Sequence, residues 1–243
     1  MNLAKLLTER RFAVLLVALC ILLTSYPIEE SSGQARLVFM ALFDLVFLAG
    51  LVAMWRSRTW SWLGTALATP ALVTIWGGVL FPESPLRTDP TIAAIGSLFM
   101  ASFLALLVLF ILRDLFSSQD VTSDQLCGAV SVYLLLGVTW GYLFNSIEIF
   151  SPGSFEIPRQ LLTAPLAEQG ILQRDGVLFY YSFVTLTTLG YGDISPVAPT
   201  AQMAAMWEAI IGQVYLAILV ARLVGMHLRG AGNGIPESSP NTE

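Results

Sequence analysis

The chain alternates between six long apolar runs and short polar segments. The runs extend from Phe12 to Ile28, Leu37 to Trp55, Trp60 to Phe81, Thr91 to Leu112, Gln125 to Ile147 and Thr200 to Ala221. A helix of about 20 apolar residues, within a range of roughly 17–25, crosses the hydrocarbon core of a bilayer. Each run meets that length. The pattern therefore predicts an all-α integral membrane protein with six transmembrane helices.

The composition supports the same class of protein. Of the 243 residues, 56% are hydrophobic and 12% are charged, whereas a soluble domain has about 25% charged residues. The mean hydropathy is +0.72. The sequence has no basic patch, so nucleic acid is excluded as a partner. Cys20 and Cys127 both lie inside apolar runs, which gives no support for a disulfide or for redox chemistry.

Lysine and arginine are distributed unequally between the two sets of loops. Eight of the 12 flank one side, namely Lys5, Arg10, Arg11, Arg56, Arg58, Arg113, Arg222 and Arg229. Basic residues favour the cytoplasmic side, so both termini of this multi-pass cell-membrane protein are expected in the cytoplasm. The absence of N-glycosylation sequons fits a prokaryotic inner membrane. Alternatively, the first run is a secretory signal, although no convincing small-residue cleavage site follows it.

A shorter apolar segment lies between the fifth and sixth runs. Residues Val177 to Thr187 are too few to cross a bilayer, and their length is typical of a re-entrant half-helix. Gly190 and Gly192 disfavour a helix, so extended backbone is expected to follow. Unpaired carbonyls at membrane depth are tolerated only inside protein or beside a wet cavity. A desolvated cation in a narrow pore would pair with these carbonyls.

The segment after this half-helix reads Thr188-Leu189-Gly190-Tyr191-Gly192-Asp193. It resembles the selectivity filter of potassium channels, whose pattern is Thr-Val-Gly-Tyr-Gly-Asp, and Leu189 is the one departure. A lone Gly-x-Gly is common, but here a short helix precedes it and an apolar run lies on each side. The motif does not extend to Gly-x-Gly-x-x-Gly, so a dinucleotide site is unsupported.

In that family four such loops face one another, and their carbonyl oxygens replace the hydration shell of K⁺. The resemblance implies a homotetramer, with K⁺ as the permeant ion and no cofactor. It assigns K⁺ coordination to Thr188, Leu189, Gly190 and Tyr191, and filter support or the outer mouth to Thr187, Gly192 and Asp193. The Thr188 hydroxyl would line the innermost site and Tyr191 would brace the loop. Asp193 would concentrate cations at the mouth.

The resemblance covers residues 125–226, which are predicted to form a pore domain of outer helix, pore helix, filter and inner helix. Residues 1–124 are predicted to form a four-helix transmembrane region without an assigned function, able to scaffold the pore or bind a lipid or a partner. Residues 227–243 are expected to be a short cytoplasmic tail. The fourth run contains no arginine, so classical voltage sensing is not expected, because a voltage sensor moves several charges.

Four further residues are candidates for gating or sensing. Gly212, near the middle of the sixth run, is either a gating hinge, as in potassium channels, or a site of close helix packing. Asp44 and Glu208 are intramembrane carboxylates. Bracing of the pore helix is preferred over proton sensing for Glu208, and no role is chosen for Asp44. His227 could sense pH, but a solvated interface position is the simpler interpretation.

Together these features predict passive, selective conduction of K⁺ through a tetrameric Thr-Leu-Gly-Tyr-Gly filter. No catalytic constellation is evident in the sequence, so an enzyme is not expected. Two alternatives remain open. A weakly selective cation channel would result if Leu189 or a flexible filter admitted Na⁺. A non-conducting sensor or assembly subunit could retain the same pore architecture.

Overall fold

The computed structural model of the protein describes residues 10–29, 33–54, 57–81, 83–117, 122–158, 161 and 175–232. Within them the chain is almost entirely helical. The helices are α1 (Arg11–Glu29), α2 (Gly33–Met54), α3 (Arg58–Leu80), α4 (Pro85–Thr88), α5 (Pro90–Ser117), α6 (Ser123–Phe150), α7 (Asp175–Leu186) and α8 (Pro199–Gly232). Two strands, β1 (Phe155–Glu156) and β2 (Ser195–Pro196), lie on either side of α7 in the chain.

Four described helices are long and apolar enough to cross a membrane by length and composition. They are α3, α5, α6 and the Pro199–Arg222 part of α8. The described apolar parts of α1 and α2, Arg11–Ser25 and Ala41–Met54, are shorter. The structure therefore provides a helix for each of the six predicted runs, four of them at spanning length. The count of six membrane crossings stays a prediction.

Helices α5 and α8 extend beyond the apolar runs that predicted them. Helix α5 continues past Leu112 to Ser117, and α8 continues past Ala221 to Gly232. Arg113 and Asp114, expected just outside the fourth span, are therefore helical residues. Asp114 forms an ion pair with Arg11 at 2.7 Å, and this bond joins the end of α5 to the start of α1.

Basic side chains from several helices lie at one end of the bundle. The Arg113 guanidinium lies 5.9 Å from the centre of the Trp60 ring, and that of Arg222 lies 5.0 Å from the Phe116 ring. The Asp124 carboxylate accepts hydrogen bonds from the backbone N–H groups of Phe12 and Ala13 at 3.1 and 2.9 Å. These N–H groups are in the first turn of α1, where they have no hydrogen-bond partner within the helix. The start of α1, the end of α5 and the part of α8 around Arg222 thus lie at the same end of the bundle, as the distribution of basic residues predicts.

The helices of the N-terminal half share a hydrophobic core with the C-terminal half. The Phe47 ring of α2 stacks on Phe103 of α5 at 4.3 Å, and Phe43 contacts Tyr142 of α6 edge-on at 5.8 Å. Tyr142 in turn meets Phe179 of α7 edge-on at 4.9 Å. Each such pair is worth about 0.5–1.5 kcal/mol beyond area burial. A continuous series of rings therefore joins α5 to the short helix α7.

The opposite end of the bundle is closed by a small antiparallel sheet, which the all-α prediction did not include. Phe155 pairs with Pro196 and Glu156 pairs with Ser195. The Ser154 carbonyl also accepts the backbone N–H of Val197 at 2.9 Å. Strand pairing depends on contacts between distant parts of the chain, which local propensity does not report. The sheet ties the segment after α6 to the segment before α8.

Candidate ion-conduction site

Helix α7 is seated against two glycines of α6. Gly137 and Gly141 lie one turn apart on α6, and Phe179 and Phe183 lie one turn apart on α7. A Cβ atom added at Gly137 would be 2.6 Å from the Phe183 ring, and one added at Gly141 would overlap the Phe179 ring. Small residues let helices approach closely in membrane proteins. This pair of contacts fixes both the depth and the rotation of α7.

Three aromatic rings meet at the middle of α7. Phe144 of α6, Phe155 of β1 and Tyr181 of α7 lie 5.2 to 5.5 Å apart by ring centres, and each pair is arranged edge to face. All three side chains are buried. The cluster joins α6, the small sheet and α7. It therefore ties the middle of α7 to α6 and to β1.

The loop after α7 has a regularly alternating backbone. Thr188, Gly190 and Gly192 have positive φ angles of 57°, 58° and 75°, whereas Leu189 and Tyr191 between them do not. Glycine takes positive φ at no steric cost, but a β-branched residue rarely does. The structure places both glycines of the motif, and Thr188 with them, in the left-handed region.

The inner end of this loop is anchored on the last turn of α7. The backbone N–H of Thr188 donates to Thr185 at 2.9 Å, and that of Leu189 donates to Val184 at 2.9 Å. The Tyr133 hydroxyl of α6 donates to the carbonyl of Leu186 at 3.3 Å. Thr187, predicted as filter support, donates its hydroxyl to Phe183 at 2.7 Å. These bonds hold the loop where its left-handed residues begin.

The outer end of the loop is held by Asp193. Its Oδ2 accepts the Tyr180 hydroxyl at 2.6 Å, and its Oδ1 accepts the backbone N–H of Ile194 at 3.0 Å. The hydrogen bond to Asp193 raises the pKa of the Tyr180 phenol, which belongs to the short helix α7, from 10.0 to about 12. Residues 187–192 are exposed in the single chain and Asp193 is half-buried. The loop therefore has two fixed ends and an open surface.

Helix α8 packs under the end of α7 without a break at Gly212. A Cβ atom added at Gly212 would lie 3.0 Å from the carbonyl oxygen of Leu186. One turn further on, the Tyr215 hydroxyl donates to the carbonyl of Ala129 on α6 at 2.5 Å. Of the two interpretations of Gly212, this geometry favours close packing.

The two intramembrane carboxylates have different surroundings. Glu208 of α8 is fully buried, with Oε1 lying 2.5 Å from the Ser182 hydroxyl of α7. Asp44 of α2 accepts the indole N–H of Trp76 at 3.0 Å and lies in the N-terminal half of the chain. Only Glu208 is part of the assembly around α7. The side chain of His227 lies outside the described residues.

Several residues that shape the site were not predicted. Tyr180, Ser182 and the glycines of α6 are among them. So is Glu148, which is buried and accepts the backbone N–H groups of Gly153 and Phe155 at 2.9 and 3.1 Å. The four-residue spacing of Gly137 and Gly141 within an apolar run is a recognised signal of close helix packing. No sequence signal indicated the roles of Tyr180 or Glu148.

Comparison with known proteins agrees with this geometry. Residues 176–228, which hold α7, the loop and most of α8, match a family described as Ion channel. The chain is also 30% identical over 138 residues to the voltage-gated potassium channel Kch of Escherichia coli (strain K12). The aligned part is 56% of this chain but only 28% of that relative. No solved structure matches the chain.

Residues 176–228 are thus similar to an ion channel domain, and part of the chain is similar to a potassium channel. The matched segment follows several helices that are long and apolar enough to span a membrane. Both matches are to channels.

Proposed function

We propose that the protein is a potassium-selective channel that conducts K⁺ passively through the loop from Thr188 to Asp193. The alternating φ signs of residues 188–192 support this function most directly, because a backbone whose residues alternate in handedness presents its successive carbonyl oxygens on one side. Rings of such carbonyls replace the hydration shell of K⁺ in selectivity filters. Thr188, Leu189, Gly190 and Tyr191 supply those carbonyls, and the Thr188 hydroxyl lines the innermost site.

The functional unit is a homotetramer. One chain supplies one loop, and a closed filter needs four. The side chains of Leu189 and Tyr191 are 54% and 66% exposed in the single chain, so neighbouring subunits would cover them. Helix α8 also exposes many large apolar side chains, namely Met203, Met206, Trp207, Ile210, Ile211, Val214, Ile218, Val220 and Val224. Other subunits and membrane lipid are the surfaces that would bury them.

Two electrostatic features favour cations along the path. The C-terminal end of α7 carries the negative end of the helix dipole, and it lies where the loop begins. At the other end, the carboxylate of Asp193 raises the local concentration of cations. Neither feature distinguishes K⁺ from Na⁺, so selectivity rests on the carbonyls of the loop.

The membrane orientation follows from the basic end of the bundle. Arg11, Arg113 and Arg222 lie at that end, which we assign to the cytoplasm of a prokaryotic inner membrane. The loop after α7 then faces the other side. Arg113, near the C-terminal end, is the only basic residue of helix α5, so the channel is not classically voltage-sensing. In this it differs from its relative, which is named as a voltage-gated channel.

Flux from liposomes tests the function. Purified protein is reconstituted, an outward K⁺ gradient is imposed, and ionophore-limited uptake of a compensating cation is followed, with Ba²⁺ as the blocker. Ba²⁺-sensitive flux with K⁺ and little flux with Na⁺ is the expected result. Equal flux with both ions would indicate a weakly selective cation channel. Absence of flux at every pH and membrane tension tried would instead favour a non-conducting subunit.

A further inference from the structure

Ser182 bridges the two helices on either side of the pore helix. Its hydroxyl oxygen lies 2.7 Å from the carbonyl oxygen of Gly137 on α6 and 2.5 Å from Oε1 of Glu208 on α8. Ser182 and Glu208 are both fully buried. The three groups form a short line across α6, α7 and α8, six residues before Thr188 in the chain.

The number of protons available to these three groups decides which of them donates to which. Two oxygen–oxygen separations of hydrogen-bond length need two protons. The serine hydroxyl has one proton to donate, and a backbone carbonyl has none. The second proton must therefore come from the carboxyl group of Glu208. In this arrangement Glu208 donates to Ser182, and Ser182 donates to Gly137.

The surroundings of Glu208 agree with a neutral carboxyl group. Within the described part of the chain, Oε2 is buried without a hydrogen-bond partner, and Glu208 forms no ion pair. The titratable groups that face it are the phenols of Tyr133 on α6 and Tyr181 on α7. Neither phenol supplies a positive charge. An ionised carboxylate would thus leave a charged oxygen unpaired in an apolar interior, which is costly.

We propose that Glu208 is a protonated positioning residue that holds the pore helix through Ser182. Its proton donation links the inner helix to the pore helix, and Ser182 extends the link to the outer helix. The link limits movement of α7 relative to α8, and α7 carries the loop at its end. This role rests on the proposed channel function for its consequence, but the protonation state and the hydrogen bonds do not depend on conduction.

Infrared spectroscopy of the purified full-length protein tests the protonation state directly. A carboxylic acid has a C=O stretching band that is well separated from the bands of carboxylates. The wild type is expected to show such a band at neutral pH, and Glu208→Gln is expected to lose it. A band that persists unchanged in that variant, or that is absent from the wild type, overturns the proposal.

Ser182→Ala provides a second, independent spectroscopic test. This variant removes the acceptor of the Glu208 proton, so the acid band is expected to move to the frequency of a more weakly bonded carboxyl group. If Glu208→Gln does not assemble, this shift decides the matter. A band that does not move means that Glu208 does not donate to Ser182, which rejects the proposed link.

The positioning role is tested with two substitutions of similar size. Glu208→Gln retains an N–H donor for Ser182, whereas Glu208→Met has none. We expect the glutamine variant to keep the thermal stability and the K⁺ over Na⁺ preference of the wild type, and the methionine variant to lose part of both. Equal behaviour of the two variants contradicts a role through proton donation.

Glu148→Gln is the matched control. Glu148 is also buried, but both of its oxygens accept backbone N–H groups, and an amide has only one acceptor oxygen. Glutamine should therefore be tolerated at position 208 and destabilising at position 148. If the wild type conducts no K⁺ at all, the proposed function fails, while the infrared band and the thermal stability still decide the role of Glu208.

Discussion

Gly212 of α8 packs directly against Leu186, the last residue of α7. A Cβ atom at position 212 would be 3.0 Å from the Leu186 carbonyl oxygen and 2.7 Å from its Cδ1 atom. The side chain of Leu186 is fully buried and cannot withdraw into free space. Helix α8 therefore approaches α7 as closely as it does because residue 212 has no side chain.

Gly212→Ala is expected to destabilise the protein. The added methyl group forces α8 away from the end of α7, and overpacking of this kind costs about 1–3 kcal/mol. Thermal unfolding of the purified protein measures the loss. Gly225→Ala is the control, because position 225 is on the same helix and has no atom within 4 Å of an added Cβ. A hinge at Gly212 would instead predict altered opening with unchanged stability.

Gly190→Ala is expected to abolish or degrade the preference for K⁺ over Na⁺. Within the single chain, an added Cβ at Gly190 meets no atom within 4 Å, so the effect does not come from a clash inside the subunit. It comes from the φ angle of 58°, which costs an L-residue roughly 1–2 kcal/mol. Reversal potentials in mixed K⁺ and Na⁺ gradients measure the change.

Gly153→Ala controls for the cost of strain by itself. Gly153 has a φ angle of 84° and also has nothing within 4 Å of an added Cβ, but it lies in the turn before β1. A similar loss of stability without a loss of selectivity is expected. Unaltered selectivity in Gly190→Ala would contradict the proposal that the carbonyl groups of the loop select K⁺.

The Tyr180 phenol is expected to remain protonated above the pH at which an ordinary tyrosine ionises. Donation to Asp193 raises its pKa to about 12 from 10.0, because ionisation would place a phenolate against a carboxylate. Between pH 10.0 and about pH 12 the hydrogen bond from Tyr180 to Asp193 should therefore persist. Ultraviolet titration of the wild type minus that of Tyr180→Phe isolates this group.

Asp193→Asn is the complementary variant for this titration. It removes the negative charge beside Tyr180, so the phenol should ionise closer to its ordinary pKa. An unchanged titration in this variant would show that the hydrogen bond at 2.6 Å does not control the ionisation of Tyr180.

Conduction is expected to depend only weakly on voltage. Moving one charge through the membrane potential is worth about 2.3 kcal/mol per 100 mV, and steep gating needs several charges on a mobile helix. Helix α5 carries only Arg113 and Asp114 as charged residues, both near its end. Planar-bilayer recordings over a range of potentials measure this dependence. A conductance that changed e-fold within a few millivolts would contradict it.

The elements of the site were largely predictable because their signals are local. The apolar runs predicted the helices to within a few residues for most ends, and the largely apolar stretch of eleven residues before Thr188 predicted the short helix α7. Gly190 and Gly192 predicted the end of the helical structure. The positive φ of Thr188 was not predictable, because a β-branched residue adopts it only under the constraint of bonds at both ends of the loop.

The long-range partners were beyond the reach of sequence analysis. Tyr180 and Asp193 are 13 residues apart, and Ser182 and Glu208 are 26 apart. The sequence singled out Asp193 by its motif and Glu208 as an intramembrane carboxylate, but nothing in the local pattern identified Tyr180 and Ser182 as their partners. The same holds for Phe155, whose pairing with Pro196 creates the small sheet.

The amino-acid sequence by itself determined the membrane character, the short helix α7 and the end of helical structure at Gly190 and Gly192, since apolar run length and glycine conformation act over a few residues. Tertiary structure decided which side chains hold that loop in place. It brought Gly212 under Leu186 and Glu208 against Ser182 by close packing of helices. Such contacts depend on shape complementarity between elements far apart in the chain, and that information appears only once the helices are packed.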